Sequence, residues 1–275
     1  MIANIIKYAL IVSIIVLMIL SVCNFQYKLL YYPSSFIPSR EVLSANNIQF
    51  WPSGPSGYRG FIGTTQIKNP NGTIIVFHGN AGTAADRAYY VTALESSGYR
   101  VLLAEYPGYG ERAGELGEKS FVRDAKETVH LAVQQYGSPI FLLGESLGCG
   151  VTAEVAKDMP GTVGGIVLIT PWDTLLSVAQ SIFPWLPVRL FMKDKYDNVG
   201  NLKGYRGRIA VVGAEQDTII PMKHATALYE SLSGKKAMFV IKGAGHNDWL
   251  SWVDPTWWQK IMGFVDGKVS TPTGA

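Results

Sequence analysis

Six short apolar runs limit what this chain can fold into: Thr73–Phe77, Arg100–Ala104, Pro139–Leu143, Gly165–Thr170, Arg208–Gly213 and Ala237–Ile241. None alternates with polar residues, which is the pattern of strands covered on both faces. Between them lie stretches of helical spacing at Ala84–Ser97, Gly117–Tyr136, Leu147–Asp158 and Met222–Leu232, with a last one near Pro255–Val265. Strand following helix throughout predicts an α/β fold built on a mostly parallel, doubly wound sheet. Asn47–Phe50 and Tyr58–Ile62 add two antiparallel strands at its leading edge, for eight strands in all. No repeat, low-complexity tract or Pro/Gly linker divides the chain after residue 45. One domain is therefore expected over 47–268, with a linker at 27–46 and a flexible tail at 269–275.

One segment breaks the rhythm. Residues 171–207 are too long for an ordinary crossover connection and are rich in proline and aromatics. They begin where a parallel strand ends, the side of an open α/β sheet on which ligands bind. A small cap is the functional reading, with Trp172, Phe183 and Trp185 as candidate substrate-binding walls and Leu186 and Phe191 beside them. The alternative is that these side chains only pack the insertion onto the body.

The N-terminus obeys different physics. From Tyr8 to Phe25 no residue carries a charge, and Lys7 and Lys28 flank the run. As a helix it would extend about 27 Å, close to the thickness of a bilayer's hydrocarbon core. Its length and the lack of an A-x-A site favour an uncleaved signal anchor over residues 1–26. A lipoprotein signal ending at Cys23 is the alternative, weakened by the bulk of Val22, and a cleaved signal peptide is another. A partner membrane, contacted through this segment, is thus expected, with the remaining domain on the non-cytoplasmic side.

Composition excludes several classes. With 24 basic against 21 acidic residues and no dense cationic run, nothing points to a nucleic-acid partner. Two cysteines and four histidines without close spacing suggest neither a disulfide framework nor a metal site. Gly108-Tyr-Gly110 is not continued to G-x-G-x-x-G, and no G-K-[ST] occurs, so no cofactor is expected.

The chemistry resides elsewhere. Gly144-Glu-Ser-Leu-Gly148 fits G-x-S-x-G and lies between the strand PIFLL and the helix from Leu147, the setting of a nucleophile elbow. Ser146 would project into the cleft, and the Leu147 amide would point at a developing oxyanion. A serine needs a base. His246, in the glycine-rich loop after the last strand, is the candidate, whereas His78, His130 and His224 sit too early or within helices. Asp217, after the strand RIAVVG, is the expected acid, with Asp173 as the geometric alternative and Glu215 and Asp248 less favoured. The loop His78-Gly-Asn-Ala-Gly82 reads as the second half of the oxyanion hole, with the Asn80 amide as donor.

Five motifs taken together carry a resemblance: Phe77-His-Gly-Asn-Ala-Gly82, Glu105-Tyr-Pro-Gly-Tyr-Gly110, Gly144-Glu-Ser-Leu-Gly148, Asp217-x-x-x-Pro221 and Gly243-Ala-Gly-His-Asn-Asp248. In this order over residues 25 to 266, with Leu29-Leu-Tyr-Tyr-Pro33 ahead of them, the chain resembles α/β-hydrolase fold serine hydrolases of the bud-emergence (BEM) type. These are related to prolyl oligopeptidase-like and acyl-protein thioesterase-like enzymes. The resemblance implies Ser146, Asp217 and His246 as a catalytic triad, Asn80 and Leu147 as oxyanion donors, and no cofactor. Glu111-Arg112 departs from it, since relatives more often carry small residues there. The expected activity is hydrolysis of a carboxylic ester or thioester in a small or acylated substrate. A serine peptidase and a catalytically silent, membrane-tethered binding protein are the alternatives.

Overall fold

The computed structural model describes residues 26–270. The proposed membrane segment lies outside the described residues, among which no helix is long and apolar enough to cross a membrane.

Along the chain the elements are β1 (Tyr32–Pro33), α1 (Arg40–Ala45), β2 (Ile48–Trp51), β3 (Gly60–Gly63), β4 (Thr73–Phe77), β5 (Ala81–Gly82), α2 (Tyr89–Glu95) and β6 (Arg100–Ala104). There follow α3 (Glu118–Tyr136), β7 (Ile140–Glu145), α4 (Leu147–Asp158), β8 (Val163–Ile169), α5 (Leu175–Ile182), α6 (Asn198–Leu202), β9 (Arg208–Ala214), α7 (Met222–Ser231), β10 (Lys236–Ile241) and α8 (Pro255–Val265). Eight strands form one sheet in the order β10-β9-β8-β7-β4-β6-β3-β2. All neighbours are parallel except β2 with β3 and β3 with β6.

The apolar runs form this sheet because both of its faces are covered. Along β4, Ile75 and Phe77 join one buried cluster while Ile74 and Val76 join the other, so successive side chains enter opposite layers. The helices supply the other walls: on α3, Phe121, Val122, Ala125, Thr128, Val129 and Ala132 are buried at helical spacing. The chain leaves β4 for β6 on one side and returns to β7 on the other. That reversal opens a crevice at the carboxyl ends of β4 and β7, where Phe77 pairs with Gly144.

The stretch Ala84–Ser97 is not one helix. Asp86 accepts the Thr83 amide and hydroxyl, tightening residues 84–87 into a 3-10 turn before α2 begins.

The stretch read as a linker carries structure of its own. Residues 26–30 are helical, β1 pairs with β5, and Tyr31 is buried in the core. The Tyr31 hydroxyl donates to Asp194 at 2.7 Å and lies 3.0 Å from the Tyr196 hydroxyl. Asp194 also accepts the Glu118 amide, and the Glu118 carboxylate accepts the amides of Lys195 and Tyr196. Burial pushes the Tyr31 and Tyr196 hydroxyls far above their ordinary range, and the neighbouring carboxylates add to this, so both stay protonated as donors. This network ties the N-terminal entry segment to the insertion and to the start of α3. Removing the Tyr31 hydroxyl leaves the buried Asp194 carboxylate one partner short. Tyr31→Phe should therefore lower unfolding stability by about 1–3 kcal/mol, read from urea denaturation.

Candidate active site

Ser146 sits where β7 turns into α4. Its φ of 51° and ψ of −112° lie outside the conformations that L-residues favour, a strain of about 1–3 kcal/mol held by the surroundings. The neighbouring glycines explain how. A Cβ at Gly148 would lie 1.9 Å from the Phe77 carbonyl oxygen, and one at Gly144 would lie 2.5 Å from the Gly148 oxygen. The start of α4 thus packs backbone against backbone on the ends of β4 and β7. Cys149 fills the remaining space, its thiol donating to the carbonyls of Gly144 and Ile169. Burial pushes that thiol well above its usual range, so it packs as a small hydrophobe.

His246 reaches this serine from the loop after β10. Its Nε2 lies 3.0 Å from Ser146 Oγ and its Nδ1 lies 2.7 Å from Asp217 Oδ2. The other oxygen of Asp217 accepts the amides of Ile219 and Ile220 at 2.9 and 2.7 Å. A carboxylate bonded to two amides cannot swing, and its free oxygen is aimed at the imidazole. A carboxylate only accepts, so the proton sits on Nδ1 and Nε2 is left to accept from the serine hydroxyl.

The competing carboxylates are engaged elsewhere. Glu215 accepts the Gly243 amide, and Asp248 accepts the Gly245 amide, so both shape the His246 loop without reaching the ring. Asp173 lies 2.8 Å from Nδ1 of His224 and also accepts from Ser177, while Nε2 of His224 lies 3.2 Å from Ser181 Oγ. Burial pushes the Asp173 carboxyl up, but the hydrogen bonds from Ser177 and His224 outweigh it and hold the group below its ordinary range. This second cluster fastens α5 to α7.

Across the crevice, Asn80 follows β4. Its carbonyl accepts from Tyr109 at 2.6 Å and from the Tyr32 amide at 2.9 Å, and its side-chain amide donates to Leu30. The entry segment therefore braces this loop, leaving the Asn80 backbone amide as the candidate donor beside Ser146. Leu147 opens α4, and a residue in that position has no intrahelical acceptor for its N–H. Behind the loop, His78 is buried with Nδ1 2.7 Å from the Gly79 carbonyl and Nε2 3.0 Å from Glu105. Glu105 also accepts the Ala84 amide.

Two carboxylates thus have roles that the motifs alone did not reveal. Glu105 anchors His78, while Glu145, between Gly144 and Ser146, accepts from Arg87, Tyr89 and Tyr90. The only signal was their place inside two of the motifs. Arg112, part of the departure noted above, turns away from the crevice to make two bonds of 2.7 Å with Asp124 of α3. Among the described residues no group of three or more His, Cys, Asp or Glu side chains could hold a metal ion.

A cavity of about 760 Å³ opens onto Ser146 and His246. Trp172, Phe183 and Trp185 all line it, as do Leu186 and Phe191, but in different ways. Trp172 is 2% exposed, donates to the Tyr196 carbonyl and holds the base of the insertion, whereas Phe183 and Trp185 stand at the rim. Leu175, Val178, Ala179 and Ile182 bring one face of α5 to the cavity, while Ser177 and Ser181 on the opposite side face His224.

Comparison with known proteins agrees with this fold. A family model described as serine aminopeptidase, S33, matches residues 68–198. The esterase Pf2001 of Pyrococcus furiosus superimposes with a TM-score of 0.68 at 14% identity, covering 86% of this chain and 97% of that one. The chain is an enzyme of the α/β-hydrolase fold. Among curated relatives, the hydrolase is 29% identical over 250 residues to protein MT2364 of Mycobacterium tuberculosis, covering 86% of this chain and 88% of that protein. It is 27% identical over 192 residues to the lysophosphatidylserine lipase ABHD12 of Danio rerio, covering 61% of this chain and 50% of that protein.

Two substitutions separate the parts of the hydrolase's site. Gly148→Ala, which forces a Cβ into the Phe77 carbonyl, should destabilise by about 3 kcal/mol, the upper end for overpacking, measured by thermal unfolding. His224→Leu releases α5 from α7 without touching Ser146. It should raise KM for bulky substrates several-fold with little change in kcat, measured by steady-state kinetics.

Proposed function

We propose that this α/β-hydrolase is a serine hydrolase of the bud-emergence type that cleaves a carboxylic ester or thioester through an acyl-enzyme. The observation that carries the reading is the position of the His246 ring, within hydrogen-bonding distance of Ser146 on one nitrogen and of Asp217 on the other.

In this mechanism the Ser146 hydroxyl donates to Nε2 of His246, which takes the proton as Oγ attacks the substrate carbonyl. Negative charge develops on the carbonyl oxygen, and the amides of Asn80 and Leu147 stabilise it without rearranging. Asp217 steadies the imidazolium across Nδ1. The tetrahedral adduct collapses, and Nε2 returns the proton to the departing alkoxide or thiolate, leaving an acyl group on Ser146. Water then loses a proton to Nε2 as it attacks the acyl carbon, and the second adduct collapses with that proton returned from Nε2 to the departing Ser146 Oγ, releasing the acid and restoring the serine.

The lining favours an ester over a peptide. Beyond His246, the charged side chains on the cavity wall are Arg87 and Glu145, and they pair with each other. A peptidase acting at an amino terminus needs a carboxylate for the substrate's ammonium, and Glu145 is already satisfied by Arg87, Tyr89 and Tyr90. The other walls are mainly aliphatic and aromatic, which suits an acyl chain. Names among the relatives and structural neighbours, a lysophosphatidylserine lipase and an esterase, lean the same way. We also propose that the apolar run from Tyr8 to Phe25 tethers the enzyme to a membrane.

A fluorophosphonate probe should label the protein, and Ser146→Ala should abolish labelling; equal labelling of both would end the proposal. Asp217→Asn should keep the fold and lower kcat by about 10³–10⁴-fold. Short-chain p-nitrophenyl esters should turn over while peptide amides do not, and a chain-length series with Ser146→Ala as control would define the acyl group.

A further inference from the structure

Among the described residues twelve large hydrophobic side chains remain exposed, and they are not scattered. Six of them, Leu29, Tyr32, Ile182, Phe183, Trp185 and Ile219, line the cavity that opens onto Ser146. The two most exposed, Trp185 at 78% and Leu190 at 76%, project from the proline-rich turn between α5 and α6. A rim of this kind, left to water, is unusual for a free surface and marks something that covers it.

Two observations say what covers it. The first is where the chain enters. Gln26 and Leu29 line the cavity, and directly before Gln26 the sequence runs for eighteen residues, 8–25, without a charge. A chain tethered by that run has its point of attachment at the cavity mouth. The second is charge. Over residues 26–39 and 182–196 the exposed charged side chains are Lys28, Arg189, Lys193 and Lys195, all cationic, while Asp194 is buried beneath Tyr31. Aromatic and aliphatic side chains bordered by cations match the boundary of an anionic bilayer, where rings sit at headgroup depth and cations meet lipid phosphates.

We propose that the cavity rim is a membrane-seating face, pressed onto the surface of an anionic bilayer by Trp185, Leu190, Phe183 and Tyr32. The inference rests on the tethering proposed above and deepens it: the domain does not hang from its tether in arbitrary orientation but sits with its mouth on the lipid. An acyl chain dissolved in the bilayer then reaches Ser146 through the cavity without crossing water.

The test uses the full chain carrying Cys23→Ser, in vesicles of phosphatidylcholine with phosphatidylglycerol. A polarity-sensitive fluorophore is attached at Trp185→Cys, at Leu190→Cys and, away from the rim, at Val240→Cys; the buried Cys149 stays unlabelled, and circular dichroism verifies the fold of each variant. Flotation on a density gradient tests the tether by itself. The proposal expects the chain to float, with labels at 185 and 190 shifted to the blue and their emission lost to nitroxide-bearing lipid, while the label at 240 is neither shifted nor quenched. A chain that floats with all three labels reading water overturns the seating face and leaves the tether standing. A blue shift at 185 and 190 that nitroxide lipid does not quench also overturns it, assigning the rim to a second copy or a protein partner. Failure to float overturns both.

Discussion

The arrangement depends on one close approach, the backbone of Gly148 against the carbonyl end of β4. With no side chain at Gly144 or Gly148, the first turn of α4 can lie directly on Phe77 and on the turn beneath it. That contact holds Ser146 in a conformation it would not adopt alone, and it sets the serine beside the loop that leaves β4. Ser146 and the Asn80 loop thus come from two strands that are adjacent in space but about seventy residues apart in sequence. The sheet's reversal between β4 and β7 makes them neighbours, and the glycines set the distance.

A second constraint comes from the entry segment. Residues 26–33 belong to the domain rather than leading up to it: Tyr31 is fixed by Asp194, and Leu30 and Tyr32 both bond Asn80. The Asn80 loop is consequently held from two sides, by His78 and Glu105 within the body and by the chain's own entry. The same few residues brace the loop, anchor the insertion and carry on toward the apolar N-terminal run. Any displacement of residues 26–33 is transmitted to Asn80 through two hydrogen bonds, which makes this entry segment part of the site's scaffold.

How much of this could be read in advance follows from the physics of each part. The buried strands were legible because a strand covered on both faces has no polar positions to hide its run, and β4, β6, β7, β8, β9 and β10 all formed where the apolar runs lie. Ser146, Asp217 and His246 were legible as neighbours because loops at the carboxyl ends of parallel strands share one edge. The other carboxylate partners were not. Asp173 and Asp217 both follow strands of this edge; motif order favours Asp217 for His246, but nothing in the sequence says that Asp173 meets His224. Glu105 and Glu145 were opaque for the same reason, since their partners come from segments 21 and 58 residues away. Residues 27–46 read as a linker because their burial rests on a few aromatic and polar contacts rather than a periodic apolar face. The split of Ala84–Ser97 turned on a single side chain, Asp86, that competes for a backbone amide.

The two sides of α5 have separate tasks. Its apolar face supplies Leu175, Val178, Ala179 and Ile182 to the cavity, while its other side is held through Ser177 and Ser181 by His224 and Asp173. None of these groups hydrogen-bonds Ser146, Asp217 or His246. Ser146 and His246 are positioned by the sheet edge and its glycines, whereas the apolar wall of the cavity is held by a separate polar cluster that joins the insertion to α7. Substitutions along the apolar face of α5 can therefore reshape the cavity while the elbow keeps its strain and the imidazole its partners. Coupling between the two runs mainly through the shared segment 217–224, where Asp217 begins the turn that places Ile219 and Ile220 on the wall and His224 at the latch. A change in that turn would alter the cavity wall and the Asp217–His246 contact together.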